Sequence, residues 1–361
     1  MVTSANRRKL QCKSLLQNVF QHKLQIMVFP SENDIDVQPL DDDQTRQLVD
    51  ARRVFAQLRT CEHELSRVPS SMFFRAVNGT DYLIKTTPYG GQRSLGKRSP
   101  DLESVFEKFQ QRKATLTATH ANLSRELERH KRMNRALRVG HAPLVVVHLL
   151  QALDKAGILD NFLVVGTHAL YAYETAAGAH FSGHSLATSD VDLFFDAQRH
   201  LRMLGDLKRI DTSLLSVLRK ADRSFRVLDD QKQTAANDQG FEVDFIRRPH
   251  RNRDPHPMAL DESLDENTLW AVQVDSGDAI TSAPRFKEMI VSASGEMAYM
   301  PTIDPEVFAS IKETLAHSPS RDPLKVRKDA RQAANVRWLL DQGLLLSHRD
   351  RESSRDQPPG G

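Results

Sequence analysis

The sequence predicts an α+β fold, in which a small mixed sheet with packed helices follows an N-terminal region of helix and β-hairpin. Three observations carry that expectation. Short apolar or alternating runs at 161–165, 190–195 and 241–246 have the length and period of strands. Around them, apolar residues recurring at helical spacing mark helices of very unequal length. Upstream, two aromatic and β-branched runs flank Asn78-Gly79, the dipeptide that supplies positive φ at both central positions of a tight hairpin turn.

With 361 residues the chain exceeds the usual size of one domain. Composition and punctuation divide it into a disordered leader and linker over 1–43, a helix, β-hairpin and long basic helix over 44–140, a main domain with C-terminal helices over 141–346, and a disordered tail over 347–361. Residues 1–26 carry five Lys or Arg and no acidic residue, the composition of a basic arm or targeting peptide. A loosely ordered leader ahead of a start at Met27 is the preferred expectation. The acidic stretch 31–43 reads as a solvated linker.

The 39% hydrophobic content fits a globular protein, and no apolar stretch approaches the roughly 20 residues of a bilayer span. Cys12 and Cys61 are the only cysteines and have neither metal nor redox spacing, which points to a cytoplasmic setting and away from a disulfide framework or thiolate zinc. A net charge of +3 does not by itself indicate a nucleic-acid partner.

Each element has its own signal. Leu48, Val54, Phe55 and Leu58 mark a helix over 43–66. The hairpin follows at 71–85, Tyr89-Gly90-Gly91 turns the chain, and 92–95 adds a third strand. Ser99-Pro100 opens a long helix to Arg138, with an apolar stripe through Leu102, Val105, Phe106, Phe109, Leu116, Leu123, Leu127 and Leu137. The basic run from Arg125 to Arg138 is expected to be a solvated face. Gly140 and Pro143 mark the boundary to the next helix, over 143–156.

The chemistry concentrates in three short segments. A strand over 161–165 runs into Gly166-Thr167 and then a helix over 168–176. Glycine allows close backbone approach to an anion, the threonine hydroxyl can donate, and the helix start contributes unpaired N–H groups. In Asp190-Val191-Asp192 the strand period puts two carboxylates on one face with Val191 turned to the core. Such neighbours repel, and a divalent ion is the economical explanation for them. A third carboxylate comes from 241–246, where Asp244, flanked by Val243 and Phe245, is preferred over Glu242 on the same face. Lys312, Arg321, Lys325 and Lys328 are candidate cations for an anionic ligand. His168 is expected to cap or pack, and His180 and His184 to be surface histidines.

The order strand, Gly-Thr turn, helix, Asp-x-Asp, and a further strand with Asp resembles the nucleotidyltransferase superfamily whose best-known member is DNA polymerase beta. More closely, Leu163-Val164-Val165-Gly166-Thr167-His168-Ala169, Ala187-Thr188-Ser189-Asp190-Val191-Asp192-Leu193, and the C-terminal Arg321-Asp322-Pro323, Lys325, Lys328-Asp329 and Gln332-Ala333 are similar to a mostly bacterial family of predicted nucleotidyltransferases. The resemblance covers roughly 44–346, including the hairpin and Gly91-Gln92-Arg93-Ser94-Leu95-Gly96. One departure is the Gly166-Thr167 turn, where the superfamily favours Gly-Ser or Gly-Gly. The resemblance implies a polymerase-beta-like core and a nucleoside triphosphate such as ATP lying against Gly166 and Thr167. It also implies two Mg2+ (or Mn2+) ions held by Asp190, Asp192 and Asp244, and transfer of a nucleoside monophosphate to a hydroxyl with release of pyrophosphate. Asp244 is then the general base or a ligand of the nucleophile-side ion. The acceptor stays open between tRNA or another nucleic acid, a protein side chain and a small molecule. The alternative is an inactive nucleotide- or nucleic-acid-binding regulator of the same fold.

Overall fold

A computed structural model describes residues 35–355 apart from 88–89, 252–253 and 263–264. The expected leader over 1–26, the end of the tail, the Tyr89 turn position and the His184 side chain therefore lie outside the described residues. No helix among the described residues is long and apolar enough to cross a membrane.

The expected helix spans Asp42–Arg67. It is started by a reciprocal capping box in which Asp41 accepts from the Gln44 N–H at 2.8 Å and Gln44 returns the bond at 3.0 Å. It packs against the long helix Pro100–Leu137, capped by Ser99 and ended by Arg138 in the left-handed region. Between them runs the meander of Ser71–Val77, Thr80–Thr86 and Gln92–Lys97, turned at Asn78 and Gly79 with φ of 48° and 77°. The apolar stripe of the long helix is only half-buried and Val105 is exposed, because one shorter helix and a narrow meander cannot enclose a 38-residue helix on all sides. Its buried residues are polar, His130 and Asn134, and both bond to Gln47. Arg125, Arg129, Arg132 and Arg135 face solvent, as expected of a solvated face.

Among the described residues the main sheet is mixed and has seven strands. Phe162–Val165, Asp190–Phe195, Glu242–Arg247, Trp270–Gln273 and Met258–Ala259 lie in that lateral order. Glu242–Arg247 is parallel to Asp190–Phe195 and to Trp270–Gln273, and Phe162–Val165 is antiparallel to Asp190–Phe195. Thr234–Ala236 joins the first half of Glu242–Arg247 and carries Arg226–Val227 outside it. The two central strands alternate between a core face and the face that carries the carboxylates, and Val191, Leu193, Phe195, Val243 and Phe245 are fully buried. Leu144–Lys155, Leu214–Ala221 and the hairpin Arg285–Val291/Met297–Ile303 contribute to the same core. A smaller cluster, with Leu48, Phe55, Val139, Met289 and Met297, joins the first helix to that hairpin.

Two expectations are corrected. The stretch expected as solvated linker contains the strand Val37–Pro39, antiparallel to Ala179–Phe181. Main-chain pairing with an otherwise open strand satisfies its backbone groups whatever its side-chain composition, and Asp36 N–H adds a bond to Asn335 at 3.2 Å. The tail expected to be disordered from 347 instead forms the helix His348–Arg355, opened by Ser347, whose N–H and hydroxyl both donate to Asp350. The α+β class itself stands.

Asn134 is the polar tie between the N-terminal helices and the main body, since it accepts from Gln47 at 2.8 Å and donates to the Gly295 carbonyl at 3.2 Å. Asn134→Ala leaves buried partners unpaired and is expected to lower stability by about 1–3 kcal/mol, read as a shifted urea midpoint at unchanged m-value.

Candidate active site

Strand register builds the acidic centre. Asp192 lies opposite Asp244 and Asp190 opposite Glu242 on the parallel pair, while Val191 and Val243 point into the core. One oxygen each from Asp190, Asp192 and Asp244 lies within 4.8 Å of the other two. Glu242 is outside that group. The carboxylates are half-buried, so each keeps a route to solvent while losing part of its hydration.

Two threonines hold the outer members. Thr188 donates its hydroxyl to Asp190, and Thr234, across the antiparallel strand from Asp244, donates to it at 2.5 Å. Burial is the main cause that pushes Asp192 up to about 7, reinforced by the charges of Asp190 and Asp244 and opposed by Lys312 and Lys325. Burial also raises Asp244, against the Thr234 hydrogen bond, with Asp190 adding to the rise.

The Gly166-Thr167 turn closes over Asp192. Gly166 has a φ of +66°, and a Cβ there would sit 2.3 Å from Asp192 Oδ2. The turn therefore needs glycine twice over, for backbone conformation and for the space that the carboxylate occupies. Residues Gly166–Ala169 form a 3-10 turn before the helix proper, Leu170–Ala177, so the expected helix starts two residues later than the sequence suggests. Thr167 is buried at the turn, its hydroxyl oxygen accepting from Gln332 at 3.2 Å. Gln332 also donates to the Ser185 carbonyl at 2.6 Å, tying the turn to the C-terminal helix Pro323–Asp341. His168 packs between Tyr171 and Phe241, and burial lowers its pKa to about 4, so it is a neutral packing residue.

The candidate cations divide. Lys312, on Pro305–Ala316, is buried and gives its ammonium to Asp329 at 2.7 Å. Arg321 meets the other oxygen of Asp329 at 2.8 Å. Asp329, almost fully buried, is thus the shared anchor of two cations, and Lys312 still acts on Asp192 electrostatically. Lys325 is exposed and also acts on Asp192. Lys328 donates to the Ala187 carbonyl at 2.6 Å, three residues before Asp190, and burial together with Lys312 lowers its pKa. Three lysines therefore surround the carboxylates, while Arg321 reaches the group through Asp329.

Sequence reasoning did not assign roles to Thr188, Thr234, Asp329 or Gln332. Thr188, Asp329 and Gln332 all stand within the quoted motif stretches, which was their available signal. Thr234 lies in the three-residue strand Thr234–Ala236, too short to show a pattern.

The raised value of Asp192 fixes the sign of a stability effect. Its folded pKa of about 7 lies above the unfolded value near ~3.9, so between them the folded chain holds a proton that the unfolded chain lacks. Metal-free stability from this group falls as pH rises from about 4 to about 7, and the deficit is complete above that window. Asp192→Asn is expected to raise the Tm of chelator-treated protein at pH 8, with a gain that shrinks toward pH 5, as followed by circular dichroism.

A family model described as nucleotidyltransferase matches residues 145–354. No curated protein and no solved structure matches the chain. The family match spans more than half of the chain and includes all three carboxylates, the Gly166-Thr167 turn and the surrounding cations, so the chain belongs to a nucleotidyltransferase family.

Proposed function

We propose that this chain is a divalent-metal-dependent nucleotidyltransferase with a polymerase-beta-like core, moving a nucleoside monophosphate from a nucleoside triphosphate to a hydroxyl acceptor with release of pyrophosphate. The observation that carries the reading is the convergence of Asp190, Asp192 and Asp244 beside a positive-φ glycine turn. Three carboxylates within 4.8 Å, with Asp192 pushed to about 7, are an all-oxygen donor set suited to a hard divalent cation such as Mg2+ or Mn2+. When bound, such ions neutralise phosphate charge, lower the pKa of an attacking hydroxyl and stabilise the leaving oxygen.

The residues divide the remaining work. The Gly166-Thr167 turn, packed against Asp192 with the Thr167 hydroxyl oxygen engaged by Gln332, is the place for a phosphate beside the carboxylates. Lys325 and Lys328 neutralise the triphosphate, while Lys312 is held by Asp329 and contributes its field at Asp192. Asp244, braced by Thr234, is placed to take the proton of the attacking hydroxyl or to orient it. The Thr188 bond holds Asp190 on the shared face.

The test is transfer of label from each α-labelled nucleoside triphosphate, with Mg2+ or Mn2+, to cellular RNA, protein and small-molecule fractions. Wild type is expected to label one fraction, and Asp244→Asn to lose about 10²–10⁴-fold in rate. Metal-dependent nucleotide binding with no transfer to any fraction would instead favour a binding protein of the same fold. Lys325→Ala, at an exposed position, is expected to raise the KM for the triphosphate more than it changes kcat. Gly166→Ala forces a methyl group onto Asp192 and is expected to weaken Mn2+ binding about tenfold or more in calorimetric titration, with Gly166→Ser no better.

A further inference from the structure

A second constellation lies toward the far end of the Leu170–Ala177 helix from the acidic centre. Its members come from three separate segments. His141 sits in the connection between the long helix and Leu144–Lys155. That connection is clamped to the Arg285–Val291/Met297–Ile303 hairpin by the Ala142 N–H bond to Val291 O at 3.1 Å and the Ala293 N–H bond to Ala142 O at 3.3 Å. Glu174 projects from the Leu170–Ala177 helix and is almost fully buried. His180 lies in the Ala179–Phe181 strand, in register with Gln38.

Both carboxylate oxygens of Glu174 are 2.9 Å from His141 Nε2, and the Phe181 N–H donates to one of them. The His180 and His141 rings are 4.5 Å apart at 47°. One ligand-capable atom from each of His141, Glu174 and His180 lies within 4.8 Å of the other two. They line a cavity of about 10 Å³, room for one small ion or one water. An ion pair between His141 and Glu174 accounts for two of the three residues, and a hydrogen bond to the Arg138 backbone accounts for only one of the two ring nitrogens of His180. His180, expected from the sequence to be a surface histidine, is instead packed on His141 with its Nδ1 buried and unpartnered among the described residues. A buried ring nitrogen with no hydrogen bond is costly, and a lone pair left free in this way is what a metal ion takes.

We propose that His141, Glu174 and His180 form a zinc site, with solvent completing the coordination on the exposed side of His141. Two imidazoles and one carboxylate are the donor set of a borderline ion, three protein ligands leaving one open position. Mg2+, which prefers oxygen, sorts to the three aspartates instead. On binding, zinc replaces the proton shared by His141 and Glu174, and that proton leaves to solvent. The ion joins the connection after the long helix, the helix that follows the Gly166-Thr167 turn, and the strand paired with Val37–Pro39. It thus braces the N-terminal region against the element that carries the turn. The inference is independent of the reaction proposed above.

The experiment uses the full chain, stripped with chelator and titrated with zinc alone against a chromophoric chelator, with cobalt(II) as a spectroscopic substitute. One zinc per chain is expected in wild type and equally in Asp190→Asn/Asp244→Asn. His180→Ala and His141→Ala, each checked for an unchanged metal-free circular dichroism spectrum, are expected to bind at least about 100-fold more weakly, since even loss of an outer partner of a ligand costs about 10–100-fold. Cobalt is expected to give the intense visible bands of four-coordination in wild type, and this readout holds even where a histidine variant fails to fold. Zinc affinity unchanged by His180→Ala, zinc lost in the double aspartate variant instead, or a weak six-coordinate cobalt spectrum in wild type would overturn the site.

Discussion

Mutual repulsion among three carboxylates is the constraint around which the rest of the protein is arranged. Asp190, Asp192 and Asp244 converge because two parallel strands are held in one register, and that register is enforced by the buried faces of Val191, Leu193, Val243 and Phe245. Slipping either strand by one residue would turn the aspartates into the core and the valines out to solvent. Apolar burial therefore holds the charges where electrostatics alone would separate them, and the raised pKa of Asp192 records the conflict.

Compensation for that conflict comes from distant parts of the chain. Lys312, Lys325 and Lys328 reach the carboxylates from two C-terminal helices, and Asp329 fixes Lys312 and Arg321 relative to one another. A buried aspartate with two cations is stable only while both partners remain, which makes this corner a rigid mount for positive charge. Gln332 extends the same helix to the Gly166-Thr167 turn. The turn and the cations are thereby linked through the helix Pro323–Asp341, although they lie more than 100 residues apart in sequence.

The N-terminal helices contribute a small core of their own, shared with the hairpin. The long helix is only half-buried along its apolar stripe, and polar ties through Asn134 to Gly295 and Lys131 to Glu296 at 2.9 Å supplement the apolar cluster by which the first helix meets the main body. The short strand Val37–Pro39 adds backbone pairing beside His180. These ties meet the main body near the hairpin Arg285–Val291/Met297–Ile303 and near the His141–Glu174 pair, on the side of the Leu170–Ala177 helix away from its first turn.

The α+β class, the hairpin at Asn78-Gly79, the long helix after Ser99-Pro100 and the alternation of Asp190-Val191-Asp192 were legible from sequence, because each depends on local periodicity or on turn chemistry within a few residues. Choosing between Asp244 and Glu242 was beyond the strand period, since register sets Glu242 opposite Asp190 and Asp244 opposite Asp192, and it is the Asp244 oxygen that lies within 4.8 Å of both aspartates. The strand at Val37–Pro39 was hidden because its partner lies about 140 residues away and contributes backbone bonds that leave no side-chain pattern. The same holds for the clamp of Lys312 and Arg321 on Asp329 and for the meeting of His141, Glu174 and His180. Local sequence sets the period and caps of an element, whereas contacts between residues far apart in the chain exist only once the core has packed and set the register between elements.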